Sequence, residues 1–161
     1  MTFYTSEIRL SWGLGRVAGG DWDHDENCNR LRETTTYRGL KQRFEERYDW
    51  EETALYRRAK RRFEIGSTVR RYDSIEAYRN SRCEYLDELY HSIKRDGYRP
   101  NKVAGHDNPH EDAYAHKLDP LVVIGRSGEI CWTEGYHRFV IASILDIDEI
   151  PVYVLCRHEE W

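Results

Sequence analysis

A glycine and two cations stand where the sequence predicts that a strand leads into a helix near the C-terminus. The apolar spacing of 136–146 indicates an amphipathic helix, so His137 and Arg138 fall in its first turn, directly after Gly135. A helix N-terminus carries a partial charge of about +0.5, and cations there are unfavourable unless an anion offsets them. The free N–H groups, the imidazole and the guanidinium would together hold an anion, which Gly135 would let approach the backbone closely. The alternative is that Glu134 neutralises Arg138.

The elements that would position this turn are two strands before it and one strand after it. Apolar runs at 121–124 and 130–133 flank a Gly-Arg-Ser-Gly turn, which indicates a β-hairpin. A last strand is expected at 151–155, with Pro151 at its first position, where a missing N–H is tolerated. We therefore expect an α+β fold in which a small mixed sheet packs on helices that contain Leu89 and Val140.

Two long helices are predicted before this hairpin. Asp49 and Glu52 have the spacing of a capping box, which predicts a helix that begins at Asp49 and ends before Gly66. The inward face of this helix is expected to carry Leu55, Ala59 and Phe63. The next helix is expected between Ser74 and Gly97.

The long connection from Pro100 to Pro120 is rich in imidazole and carboxylate groups, which suit zinc or manganese. Their spacing matches no ligand pattern, so we predict a polar surface loop and assign no metal ligand. The side chains in question are His106, Asp107, His110, Glu111, Asp112 and His116.

The charge of the chain is unevenly distributed. The formal net charge is −4, which excludes a uniformly basic nucleic-acid-binding protein. Residues 38–71 nevertheless carry 11 Lys and Arg against 6 Asp and Glu, whereas 105–161 carry 4 against 11. We predict that the basic helix exposes Arg57, Arg58, Arg61 and Arg62. Those side chains either face DNA or dock on the acidic C-terminal half.

Composition also bears on the compartment. The four cysteines (Cys28, Cys83, Cys131 and Cys156) form no C-x-x-C pair, which favours reduced, buried thiols. The sequence has no apolar window long enough to span a bilayer and no basic-then-apolar leader. We therefore expect a cytoplasmic protein without a membrane partner; the oligomeric state is left open.

The order of these features resembles the ParB/sulfiredoxin superfamily. Gly135-Tyr136-His137-Arg138, followed by Ile150-Pro151-Val152, is similar to the phosphate-binding motif of that superfamily. The run 86–97, which ends in Ser-Ile-x-x-x-Gly, is similar to its helix, and 119–123 to its Pro-containing strand. The resemblance covers about residues 70–156. It divides the chain into an N-terminal extension, 1–69, which matches no part of the superfamily and is expected to pack on the main domain, and a ParB/sulfiredoxin-like domain, 70–161. The whole chain is similar to ParB-like proteins of haloarchaeal type.

The resemblance implies a nucleotide-phosphate site. Members of the superfamily bind CTP or ATP, so Gly135, His137 and Arg138 would contact phosphate with Thr133 beside them. Glu134 would be the candidate catalytic group, and Mg²⁺ would accompany the nucleotide. Sulfiredoxins need a cysteine where this chain has Tyr136, so sulfinic-acid reduction is not expected.

Three functional hypotheses follow. The first is a nucleotide-binding ParB-like protein, with NTP hydrolysis and phosphoryl transfer left open. The second is a DNA-binding or ParB-like nuclease module that uses the basic helix. The third is an interaction domain without catalysis.

Overall fold

The computed structural model describes residues 2–4, 13–24, 28–104 and 119–161. It divides into two compact units, each built from separate stretches of chain. The sheet unit comprises Met1–Thr34, Asp119–Tyr136 and Pro151–Trp161, and the helical unit comprises Thr35–Leu118 and His137–Ile150. The sheet unit therefore joins stretches that lie far apart on either side of residue 70.

The sheet unit contains a mixed six-stranded sheet. Its strands are β1 (Thr2–Tyr4), β2 (Arg16–Ala18), β3 (Cys28–Arg30), β4 (Leu121–Ile124), β5 (Ile130–Glu134) and β6 (Tyr153–His158). They lie in the order β2-β6-β4-β5-β1-β3. The hairpin strands β4 and β5 are antiparallel, as are β1 and β3, whereas β6 runs parallel to both β4 and β2, and β1 parallel to β5. The prediction of a mixed sheet together with helices is confirmed.

A small apolar cluster holds this sheet together. It consists of Trp22, Val123, Cys131, Leu155 and Cys156. Two of the predicted buried thiols are thus core side chains, as expected of small apolar groups. The last strand begins at Tyr153, two residues later than predicted, because Pro151 and Val152 lie before the first ladder pair, Leu121 with Tyr153.

An ion pair ties the N-terminal part of the sheet unit to the β4–β5 turn. Arg126 donates from Nη2 to Asp23 Oδ1 at 2.7 Å, and its backbone N–H donates to Asp23 Oδ2 at 2.7 Å. Burial alone would raise the pKa of Asp23, but the hydrogen bonds from Arg126 outweigh it and lower that pKa to about 2. Asp23 therefore contributes a buried carboxylate to the sheet unit.

The helical unit is built from α-helices. They are α1 (Thr35–Phe44), α2 (Ala54–Glu64), α3 (Ile75–Ala77), α4 (Glu84–Asp96), α5 (Asn101–Ala104) and α6 (Tyr136–Ile144), whose first residue belongs to the sheet unit. A π-helical turn, Tyr78–Cys83, joins α3 to α4 without a break in the helix. The predicted ends at Gly66 and Gly97 are confirmed, since α2 and α4 stop one or two residues before them.

The start of α2 differs from the prediction. Asp49 makes no side-chain cap; instead a short 3-10 turn, Trp50–Glu52, intervenes, and Thr53 Oγ1 accepts a hydrogen bond from Tyr56 N at 3.2 Å. The indole of Trp50 explains the shift, because it is fully buried and donates to Asp87 Oδ2 at 2.9 Å. A tertiary contact has therefore moved the cap four residues along the chain.

Close packing joins α1 to α2 at a glycine. A Cβ built on Gly39 would lie 2.7 Å from the backbone nitrogen of Leu55, so the two helices meet where α1 has no side chain. Arg43 on α1 adds a fork to Asp87 on α4, with Nε to Oδ1 at 2.9 Å and Nη2 to Oδ2 at 3.1 Å. These contacts hold α1 against α2 and α4.

No helix within the described residues is long and apolar enough to cross a membrane. The histidine-containing loop predicted between Pro100 and Pro120 lies almost wholly outside the described residues.

Candidate functional site

Arg138 is a buried cation in the first turn of α6. Its side chain is more than nine-tenths buried. The guanidinium donates from Nη2 to the carbonyl oxygen of Arg99 at 2.8 Å, and its carbon lies 4.8 Å from the centre of the Tyr98 ring. No carboxylate in the described part of the helical unit pairs with it.

Two nitrogens of the same guanidinium are left without a hydrogen bond. Nε and Nη1 of Arg138 are buried and have no acceptor within the described stretches of the chain. A buried donor that belongs to a charged group costs more to leave unsatisfied than the about 1–3 kcal/mol of a neutral one. Nε and Nη1 therefore form the strongest indication of a ligand in the helical unit.

His137 is held by a second buried arginine. Arg82 Nη2 lies 3.2 Å from Nδ1 of His137. A guanidinium has donors only, so Nδ1 is the acceptor and the proton of the neutral ring sits on Nε2. Burial, and then the charges of Arg82 and Arg70, lower the pKa of His137 well below its ordinary value. His137 is therefore a neutral hydrogen-bond donor at Nε2.

Arg82 comes from the π-helical turn. It is 1% exposed, and its guanidinium carbon lies 5.1 Å from the centre of the Tyr85 ring. A π-helical turn adds a residue to the helix and so changes the direction in which side chains project. Here it brings a cation into the interior, where Tyr85 lies against it.

Arg70 stands in a strained tight turn. Val69 and Tyr72 pair with each other, and the two residues between them have positive φ angles, 49° at Arg70 and 67° at Arg71. Such a two-residue turn favours Asn and Gly, because other side chains are strained in it. The hydroxyl of Tyr72 lies 3.0 Å from Ser81 Oγ, so the turn is anchored one residue before Arg82.

The residues predicted just before α6 belong to the sheet unit. Gly135 has φ of 78°, and a Cβ added to it would lie 2.8 Å from the Cα of Pro120. The close approach of Pro120 therefore requires a glycine at position 135, whether or not a ligand binds there. Thr133 Oγ1 donates to Leu121 O at 3.2 Å, and Glu134 is an exposed residue at the end of β5. Phosphate contacts for Gly135 and Thr133, and catalysis by Glu134, stay predictions.

The basic helix has the predicted orientation. Arg57, Arg58, Arg61 and Arg62 are exposed, whereas Leu55 and Ala59 are buried and Phe63 is half-buried. Docking of these four side chains on the acidic C-terminal half stays an alternative. A contact with DNA stays a prediction.

Sequence reasoning missed Arg70 and Arg82, which lie 67 and 55 residues before His137. One local pattern points to Arg82: it precedes Leu86, Leu89 and Ile93 at the spacing of one helical face, and all three are buried. An arginine at the head of an apolar face is a candidate buried cation. No comparable pattern marks Arg70.

Within the described ranges, no cluster of three or more His, Cys, Asp or Glu side chains could hold a metal ion. Comparison with protein-family models, with curated proteins and with solved structures finds no match for this chain.

Proposed function

We propose that the first turn of α6 binds the phosphate groups of a nucleotide, in the manner expected of a ParB-like domain. The observation that carries the proposal is the buried guanidinium of Arg138, whose Nε and Nη1 have no acceptor among the described residues. Two oxygens of one phosphate match this fork of donors, and charge-assisted bonds of this kind are about twice as strong as neutral ones.

The chemistry of the neighbouring groups favours an anion. His137 offers a donor at Nε2, because its Nδ1 faces Arg82. The first N–H groups of a helix are donors without an intrahelical acceptor, and the helix dipole attracts negative charge. Phosphate oxygens are acceptors only, so they complement this set of donors.

Binding should depend on Arg138 in a graded way. Isothermal calorimetry with the Mg²⁺ salts of ATP, CTP and GTP should show wild type binding one of them, and Arg138→Ala weaker by about 10- to 100-fold. Arg138→Lys should recover only part, since lysine restores the charge without the fork. Arg95→Ala is the matched control, because Arg95 is an exposed cation paired with Asp96. Equal binding by wild type and Arg138→Ala, or none by wild type at millimolar nucleotide, overturns the proposal.

Catalysis is tested separately, by measuring the release of inorganic phosphate. Mg²⁺ would enter with the nucleotide and neutralise its phosphate charge. If Glu134 is the metal-coordinating or basic group, Glu134→Gln should retain nucleotide binding and lose release of inorganic phosphate. Phosphate release that is unchanged in Glu134→Gln rules out that role.

A further inference from the structure

The outer surface of α2 is strongly basic. Within this 11-residue helix, five of six consecutive residues carry a positive charge, and the sixth is the buried Ala59. We define the basic face as the exposed side chains of Arg57, Arg58, Lys60, Arg61 and Arg62.

Several other cations of the helical unit are held in ion pairs. Arg43 pairs with Asp87 and Arg79 with Glu51, at 2.9 and 2.8 Å. Both Arg95 and Arg99 pair with Asp96. In the described part of the helical unit, no carboxylate lies within ion-pair distance of any member of the basic face. The face therefore keeps its five charges for another partner.

Helix geometry gives the basic face its width. At 100° per residue the five cations spread over about 200° of the helix surface, with Arg57 above Arg61 and Arg58 above Arg62. Lys60 lies apart from these two rows, and the exposed Glu64 falls between Lys60 and Arg57. The helix is roughly 16 Å long, and a major groove about 12 Å wide admits a helix with cations on both flanks. The spread of the cations thus matches the phosphates that line both sides of one major groove.

The apolar residues of α2 help to choose among polyanions. A helix that binds a membrane surface presents apolar side chains to the lipid, and single-stranded nucleic acid is bound by exposed aromatic rings. In α2, Leu55 and Ala59 are buried, and Tyr56 and Phe63 are half-buried. Four of the five cations are arginines, whose planar fork matches phosphate oxygens. We propose that the basic face of α2 binds the phosphate backbone of duplex DNA.

The proposal is independent of the nucleotide site, because it uses different residues and a different readout. Fluorescence anisotropy with a short labelled DNA duplex should show binding at 50 mM salt. Five phosphate contacts would make affinity fall on the order of 500-fold between 50 and 200 mM salt.

Two matched variants test which cations are responsible. Replacing Arg57, Arg58, Arg61 and Arg62 by Ala should weaken binding at least tenfold at 50 mM salt and reduce the slope of log affinity against log salt by up to about 3.6. The control replaces Arg38, Arg47, Lys94 and Arg95 by Ala, which removes the same charge from exposed positions elsewhere in the helical unit. Its affinity should change less than threefold.

Folding is checked by the melting curves of both variants, and Arg57→Gln with Arg61→Gln repeats the test with a smaller change. Equal weakening in the two quadruple variants, or no duplex binding by wild type at 50 mM salt, overturns the proposal. So does binding to phosphatidylserine vesicles that is lost in the basic-face variant while duplex binding is not.

Discussion

Arg82 donates a hydrogen bond from Nη2 to Nδ1 of His137, at a distance of 3.2 Å. The guanidinium of Arg82 thereby disfavours protonation of His137, because a protonated imidazole would point its Nδ1–H at the N–H of Arg82. Burial and the charges of Arg82 and Arg70 act in the same direction and lower the pKa of His137. The pair thus fixes both the charge and the tautomer of the imidazole.

This pair should make stability depend on pH. In the unfolded chain His137 titrates near pH 6.5, whereas the folded protein keeps it neutral well below that value. Its stabilising contribution is therefore complete above about pH 6.5 and is lost as the pH falls below it. Urea unfolding at several pH values should show a smaller acid loss in His137→Gln than in wild type. His91→Gln, at an exposed position, is the control; equal slopes for wild type and His137→Gln contradict the assignment.

Arg138 should be dispensable for stability although it is buried. Its guanidinium has lost water and recovered one carbonyl acceptor, so an apolar side chain of similar length removes a desolvated charge. We expect the free energy of unfolding of ligand-free Arg138→Met to lie within about 1 kcal/mol of wild type, or above it. The nucleotide-dependent rise in Tm should vanish. A loss of about 3 kcal/mol without ligand would instead identify Arg138 as a structural residue.

The ion pair between Asp23 and Arg126 should be a main stabiliser of the sheet unit. Arg126→Met would remove the guanidinium from the buried carboxylate of Asp23 and keep the backbone N–H bond, so the cost should be at most about 3–5 kcal/mol. Asp23→Asn combined with Arg126→Met should recover part of that loss, as a double-mutant cycle can measure.

The same pair has a pH signature. Because the pKa of Asp23 is lowered to about 2, its stabilising contribution is present above about pH 4 and is lost as the pH falls towards 2. Acid unfolding of Asp23→Asn should lack this step. An acid transition identical to that of wild type would count against the pair.

Gly39 should be a helical glycine that alanine cannot replace. In an exposed helix Gly→Ala gains about 1 kcal/mol. Here the added Cβ would lie 2.7 Å from the backbone nitrogen of Leu55, so α1 and α2 must separate. We expect Gly39→Ala to lower the Tm measured by circular dichroism, whereas Arg38→Ala, at the exposed position beside it, should not. A rise in Tm for Gly39→Ala would refute the packing argument.

The parts of the fold that were predictable are those set by local pattern. The hairpin strands β4 and β5 and the helix α6 follow from apolar runs punctuated by Gly125, Gly128 and Gly135. The pairing of β1 could not be predicted, because β1 pairs in parallel with β5, which lies more than a hundred residues away in the sequence. Nothing in a three-residue strand specifies so distant a neighbour.

The candidate site divides in the same way. His137 and Arg138 could be singled out from the sequence because basic residue types in the first turn of a helix are electrostatically unusual. The contact between Arg82 and His137 could not be predicted, because it joins residues 55 positions apart, although the apolar face that follows Arg82 marks it as a candidate buried cation. The cap at Thr53 also escaped prediction, since the burial of Trp50 decides it.

If the first turn of α6 binds nucleotide as proposed, the tight turn at Arg70 and Arg71 should set thermal stability against ligand binding. Each positive φ at a non-glycine residue costs about 1–3 kcal/mol, and Asn-Gly would remove most of that strain. A library randomised at these two positions and sorted for thermal resistance should therefore converge on Asn-Gly. The same library sorted for nucleotide capture should retain arginine at position 70, whose charge reaches His137, while position 71 drifts to glycine. Identical winners from both sorts would mean that the turn carries no functional constraint.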